Sequence, residues 1–444
     1  MAERLVVIGG DAGGMAAISQ VRKTRPDMEI VAFERGHYTS YSACGIPYLV
    51  GGEVETIEEL VARTPQVFRD RFRVDVRMRH DVTAIDLDAR EVEVHDIEHE
   101  RTFRLGFDRA LVATGGMPIR PDLPGISHKH VHGVQTLDDA RDLLEHATSE
   151  SMEHVVVVGG GYIGLEMAEA FTHRGSRVTL LEAGSQVMQT LDPDMAALVG
   201  EALESHGVDV RLEERALAFE ARRVVTEHDT IEADVVVLGL GVRPNSGLAK
   251  ESGLAVGVKD AVRVSRRQET SADGVWAAGD CCESTHLVSG RQVHVPLGTV
   301  ANKQSRVAGI NIGGGYATFK GVVGTAITRV CDTEIARTGL SEREATEAGF
   351  AFRSTVIEGS TRAGYLPGKK RTTVKLVVEQ RTGRLLGGQI VGQEGAAKRI
   401  DVLATALTAR MTVEEMIDLD LGYAPPFSPV WDPVLVAARV ASRT

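Results

Sequence analysis

Cysteine is scarce. The 444 residues hold four, Cys44, Cys281, Cys282 and Cys331, which excludes a disulfide framework and points to a reducing compartment, the cytoplasm. No stretch approaches the ~20 consecutive apolar residues of a membrane-spanning helix. The opening, MAERLVVIGG, lacks the basic, apolar and cleavage regions of a signal peptide. Positive charge is in deficit. The formal net charge of -12 argues against general nucleic-acid binding, while a local basic patch can still hold an anionic small molecule. No metal site is expected. What is present is an ordinary globular composition, 43% hydrophobic and 25% charged, over a length that suggests about three domains at roughly 150 residues each.

The chain echoes itself. RLVVIGGDAGG, from Arg4 to Gly14, and HVVVVGGGYIG, from His154 to Gly164, each run an apolar strand into a glycine-rich turn and a small-residue helix. A second strand follows each and ends in an acid, IVAFE at Glu34 and VTLLE at Glu182. That is the dinucleotide-binding unit, whose acid, about 20 residues on, meets a ribose hydroxyl. The glycines let the backbone approach a pyrophosphate resting on the helix N-terminus. The second copy has all three glycines, Gly159, Gly161 and Gly164; the first keeps Gly9 and Gly14 but carries Asp11 in the middle. Two such units in one chain mean two dinucleotide sites.

Two further segments sharpen this. FDRALVATGG closes a strand on Ala113, Thr114 and Gly115, and DGVWAAGD ends a strand at Asp280. Together with both glycine turns they resemble the pyridine nucleotide-disulfide oxidoreductases over nearly the whole chain. The resemblance implies an α/β fold: two Rossmann-like dinucleotide-binding domains of the glutathione reductase-like kind, plus an α+β C-terminal dimerisation domain. An FAD-binding domain would comprise residues 1–115 and 242–320, interrupted by an NAD(P)H-binding domain at 116–241, with dimerisation at 321–444. Pro118, Pro121, Pro124 and Gly125 mark the first crossing, and GLGVRPN the return. By the same resemblance FAD is held by Gly9, Gly10, Asp11, Ala12 and Gly14, by Glu34, Arg35, Ser42 and Val82, by Ala113, Thr114 and Gly115, and by Asp280, Pro296, Leu297, Gly298 and Ala301. The nicotinamide nucleotide falls to Gly159, Gly161, Tyr162, Ile163, Gly164, Glu166, Glu182 and Gly241. A carboxylate at Glu182 repels a 2′-phosphate, which favours NADH over NADPH. Arg174 and Arg177 lie close enough in sequence to soften that preference.

TSYSACGIPYLVGG, from Thr39 to Gly52, carries the first cysteine alone. The commoner branch of the family places two redox cysteines with four residues between them. Here those positions are Thr39 and Leu49, so no local disulfide forms. A lone cysteine beside a flavin cycles as a sulfenic acid, a mixed disulfide or a persulfide. Pro47 suits a first helical turn, and a helix starting at Cys44 would stabilise its thiolate. Cys281 and Cys282 read as buried small residues, and Cys331 as part of the last domain's core. The oxidase and peroxidase branches use a histidine near the first glycine turn; GGDAGGM has none, and His37 is the nearest.

The tail, YAPPFSPVWDP, resembles coenzyme A-disulfide reductases and their persulfide-reducing relatives. In that family two tyrosines of one subunit reach the cysteine of the other; Tyr423 matches one and Tyr365, in AGYLPGKK, the other. Arg22, Ser40, Arg69 and Arg71 are the expected substrate contacts, the arginines meeting coenzyme A phosphates. The expectation is a cytoplasmic homodimer, dependent on FAD and on NADH or NADPH, that reduces coenzyme A disulfide through a mixed disulfide on Cys44. The alternatives are a persulfide or polysulfide reductase, an NADH oxidase, and a flavoprotein reductase of an electron-transfer protein, without nucleic-acid or membrane partners.

Overall fold

A computed structural model describes residues 3–149 and 152–443. The strand Arg4–Ile8 lies at the centre of a five-stranded parallel sheet. Glu29–Glu34 and Asp75–Met78 flank it on one side, Arg109–Val112 and Val275–Ala277 on the other. Its strands are apolar runs because both faces are covered by helices; Leu5, Val6 and Val7 are fully buried.

A second five-stranded parallel sheet repeats the pattern around His154–Val158. Arg177–Glu182 and Asp209–Leu212 stand on one side, Val235–Leu238 and Val131–Gly133 on the other. Val155, Val156 and Val157 are fully buried, each contributing about 1.5–3 kcal/mol of burial free energy. The echo goes further than the glycine turns. Each unit carries a three-stranded antiparallel sheet before a late strand of its parallel sheet, His80–Asp86 to Arg101–Gly106 before Arg109–Val112 in the first and Ala216–Glu220 to Thr230–Glu232 before Val235–Leu238 in the second.

The two crossings between units pair with one another. Gly116–Pro118 and Val242–Pro244 form an antiparallel ribbon, and Asn245 Nδ2 donates to the Thr114 carbonyl at 3.1 Å. The first sheet therefore takes its outermost strand, Val275–Ala277, from beyond the inserted second unit.

Residues from Ala326 build a five-stranded antiparallel sheet, in the order Ala326–Val330, Thr333–Gly339, Leu385–Gly392, Arg371–Glu379, Phe352–Ser360. The helices Ile400–Ala409 and Pro433–Ala441 pack on it to form a core of their own, while Val330, Ile335 and Val391 of the sheet join the core of the second unit. Cys331 departs from expectation. It sits at the hairpin between the first two of these strands with φ +56°, half-buried and packed against the core of the second unit.

Candidate functional site

Both glycine turns open onto one cleft of about 2510 Å³. Two features of each turn shape it. Gly9 and Gly159 have φ of +113° and +108°, a region side chains avoid. A Cβ on Gly14 or Gly164 would stand 2.0 or 1.9 Å from the carbonyl oxygen of Gly9 or Gly159. The third glycine thus seats the helix against its strand rather than facing a ligand, and neither Gly14 nor Gly164 lines the cleft. Gly9, Gly10, Asp11 and Ala12 do line it, as do Gly159, Gly161, Tyr162 and Ile163.

The two acids behave alike. Glu34 accepts the amides of Gly10 and Gly36, each at 2.7 Å. Glu182 accepts those of Gly160 and Gly184, each at 2.8 Å. Each carboxylate ties the middle of its glycine turn to the end of the second strand and stands at the cleft edge.

The first unit's side of the cleft fits FAD. The helices Ala12–Thr24 and Gly298–Ile312 point N-termini at it without side-chain caps, leaving amides for a pyrophosphate. Arg35, Ser42, Val82, Ala113, Thr114 and Gly115 line this side, together with Pro296, Leu297, Gly298 and Ala301. Asp11 is pushed up to about 6 by burial and by the Glu34 charge, against the Tyr41 amide that binds it at 3.0 Å. Burial pushes Asp280 up to about 6 as well. Two carboxylates made costly by burial suit ribityl and ribose hydroxyls, which donate to them.

Cys44 is exposed to this cleft. It lies in a 3₁₀ turn, Ala43–Gly45, just before the six-residue helix Ile46–Gly51. The expected helix-start stabilisation of its thiolate is not met: burial first, then the carboxylates of Glu166 and Asp280, push the thiol up. Ile46, Leu49 and Val50 pack into the core of the second unit with Leu165, Met167 and Ala170. That packing brings the cysteine of one unit to Glu166 of the other. Glu166 is raised by burial and accepts a hydrogen bond from Thr328 Oγ1 at 2.6 Å. Sequence reasoning missed Thr328, which comes from the C-terminal sheet. It also missed Tyr48, one turn beyond Cys44 on the cleft wall; its aromatic character in an otherwise aliphatic helix was the available signal.

Cys281, Cys282 and Cys331 do not line the cleft. Cys281 and Cys282 are buried, with sulfurs 3.6 Å apart. His80 is the one histidine lining the cleft among the described residues; it stacks on Phe33 on the Glu34 side. His37 pairs with Asp138 instead.

Several expected contacts stand elsewhere. Arg22 Nε donates to the Phe72 carbonyl at 2.6 Å, and its other nitrogens to those of Arg25, Pro26, Met28 and Arg73. It staples the end of the first helix to these carbonyls and does not line the cleft. Arg69 donates to the Val76 carbonyl at 2.8 Å. Arg71 is exposed. Ser40, at φ +50°, receives the amides of Ala62 and Arg63 and donates its own to Gly10. Neither Arg174 nor Arg177 approaches Glu182: Arg174 donates to the Val50 carbonyl and Arg177 to the His154 ring at 2.8 Å. Gly241 lines the cleft. Tyr365 and Tyr423 lie outside the cleft of their own chain and neighbour one another; desolvation first, then Tyr365, pushes the Tyr423 phenol up. They are 75% and 48% exposed, near Phe427, Val430 and Trp431, also exposed.

The pyridine nucleotide-disulphide oxidoreductase model matches residues 3–305, and the dimerisation-domain model of the same family matches residues 325–433. The chain is 40% identical over 441 residues to an NAD(P)H sulfur oxidoreductase (CoA-dependent) of Pyrococcus abyssi, covering 98% of this chain and 97% of that one. It is 28% identical to a coenzyme A disulfide reductase of Staphylococcus haemolyticus, with 96% of each covered. Among solved structures, an NAD-dependent persulfide reductase from A. fulgidus superposes with a TM-score of 0.96 at 38% identity, over 99% of this chain and 83% of that one.

Proposed function

The chain belongs to the pyridine nucleotide-disulphide oxidoreductase family, and from that premise we propose that it reduces sulfur–sulfur bonds of coenzyme A through Cys44. It is an NAD(P)H-dependent flavoprotein oxidoreductase. The observation that carries the reading is the position of Cys44: alone, open to the cleft, and facing Glu166 across the junction of the two units. The Cys44 thiolate attacks coenzyme A disulfide, forming Cys44–S–S–coenzyme A and releasing coenzyme A thiolate. With coenzyme A persulfide, attack at the coenzyme A sulfur releases hydrosulfide and gives the same mixed disulfide. FAD, bound by the first glycine turn, Glu34 and Asp280, supplies the passage of two electrons from NADH to that bond. Its opening restores the Cys44 thiolate, and the departing coenzyme A takes a proton. Tyr423, beside Tyr365, donates that proton from the partner subunit of a cytoplasmic homodimer. The exposed apolar tail beside both tyrosines supports this arrangement, and no helix among the described residues is long and apolar enough to cross a membrane.

The domain boundaries follow the paired crossings: FAD at 1–115 and 242–320, the nicotinamide nucleotide at 116–241, dimerisation at 321–444. NADH is the preferred donor: Glu182 forms no ion pair among the described residues, and Arg174 and Arg177 are engaged by Val50 and His154. The persulfide reading is favoured as the second substrate by the names of the more similar relatives. Anaerobic NADH consumption with coenzyme A disulfide, with coenzyme A persulfide, and separately with oxygen alone tests the function. Fast turnover of either sulfur substrate, slow turnover of oxygen, and loss of the former in Cys44→Ser are expected. Unchanged sulfur turnover in Cys44→Ser would overturn it.

A further inference from the structure

The C-terminal sheet grips the second unit through a buried ion cluster. Lys375, 3% exposed, places its ammonium 2.8 Å from Asp194, 2.8 Å from Glu342 and 3.3 Å from Asp192. Asp192, itself 2% exposed, also receives Gln389 Nε2 at 2.6 Å and the Glu342 amide at 2.9 Å. Its own amide donates to Gln389 Oε1 at 2.9 Å. Arg337, held by Glu344 at 2.6 Å, donates to the Thr190 carbonyl at 2.7 Å. Lys375, Gln389, Arg337 and Glu342 belong to the C-terminal domain; Asp192, Asp194 and Thr190 belong to the second unit.

The gripped segment is the wall of the second dinucleotide site. Met188, Gln189 and Thr190 line the cleft beside Glu182. The Met188 amide donates to the Gly160 carbonyl at 2.7 Å, inside the second glycine turn. Met188 adopts φ +48° to do so, a conformation that needs outside support in a non-glycine residue. The Leu191 amide donates back to the Met188 carbonyl at 2.8 Å, closing the segment on itself. A continuous chain of contacts thus runs from Lys375 and Gln389, through Asp192 and Thr190, to the turn that faces the nicotinamide nucleotide. A buried ion cluster of this kind contributes little net stability against an apolar substitute. Its value lies in fixing one register between two domains.

We infer that the Asp192-centred clamp of Lys375, Gln389 and Arg337 is a positioning device for NADH, so that the C-terminal domain sets affinity at the second glycine turn. This rests on the reading that this turn binds the nicotinamide nucleotide.

The test is steady-state kinetics on the flavin-loaded full chain, varying NADH and the sulfur substrate separately, with melting temperature recorded alongside. Gln389→Leu removes two hydrogen bonds to Asp192 while leaving the ion cluster intact, and is expected to raise KM for NADH up to about tenfold. KM for the sulfur substrate and kcat at saturating NADH should stay within about twofold, which separates lost ground-state positioning from damaged chemistry. Lys375→Met should act in the same direction and Lys375→Arg should restore the wild-type value. If Lys375→Met does not fold, Gln389→Leu decides alone. An unchanged KM for NADH at a lowered melting temperature would overturn the inference and leave a merely structural clamp. A wild-type enzyme whose NADH dependence ignores Glu182→Ser would overturn the nucleotide assignment of the turn, and the clamp's role with it.

Discussion

Glu166 and Cys44 meet only because a short helix of the first unit buries its apolar face in the second. The thiol lies above its ordinary range, by burial first and by the Glu166 and Asp280 charges next. Neutralising one of those charges favours the thiolate. Iodoacetamide alkylation of Cys44 against pH, in a Cys331→Ser background, should therefore shift to lower pH in Glu166→Gln. Cys281 and Cys282 are buried and do not compete. A curve unmoved by the substitution would place the thiol outside the reach of that carboxylate. At the other nucleotide, Glu182 forms no ion pair among the described residues, Arg174 and Arg177 being engaged with Val50 and His154. Glu182→Ser is expected to lower the NADH-to-NADPH ratio of kcat/KM by about tenfold or more, the value of one repulsive charge at roughly 1.4 kcal/mol. The two ratios measured side by side check it.

At the scale of the element, each glycine turn depends on one backbone approach. Adding a Cβ at Gly14 or Gly164 drives it onto a carbonyl oxygen near 2 Å, and the helix must leave its strand. Gly164→Ala should weaken NADH binding while the purified protein stays yellow with flavin, and Gly14→Ala should lose the flavin. Absorbance of the purified variants and an NADH titration distinguish the two. These turns were legible in the sequence because their chemistry is local: glycines, helix and terminal acid all fall within one short stretch. The crossings were legible too, as proline- and glycine-rich breaks. What escaped detection was assembled over long range. Thr328 reaches Glu166 from the far end of the chain, and Arg22, which reads as a free cation beside a helix end, is consumed by five carbonyls that no spacing announces. The supposed helix start at Cys44 failed for a related reason: Pro47 does sit in the first helical turn, but that turn begins two residues after the cysteine.

For the molecule as a whole, two buried carboxylates at the flavin side govern how the flavin-free protein responds to pH. Asp11 and Asp280 titrate near 6 in the folded chain, against 3.8 for an ordinary aspartate. The folded state therefore holds these protons more tightly than the unfolded state. Their contribution to stability is fully present below pH 3.8 and is lost as pH rises through 6. Asp280→Asn should accordingly raise the melting temperature of the flavin-free protein more at pH 8 than at pH 4, and thermal melts at the two pH values read this directly. At the same scale, the proposed homodimer would cover Tyr365, Tyr423, Phe427 and Trp431, which are exposed in the single chain. Tyr423→Phe should then slow sulfur-substrate turnover without altering flavin content.

The most direct test of a single-cysteine sulfur reductase is the intact mass of the flavin-loaded protein after exposure to coenzyme A disulfide. One coenzyme A per chain, attached at Cys44, removed by anaerobic NADH and absent from Cys44→Ser, is the predicted result. No adduct in the wild-type protein, or an equal adduct in Cys44→Ser, would contradict it.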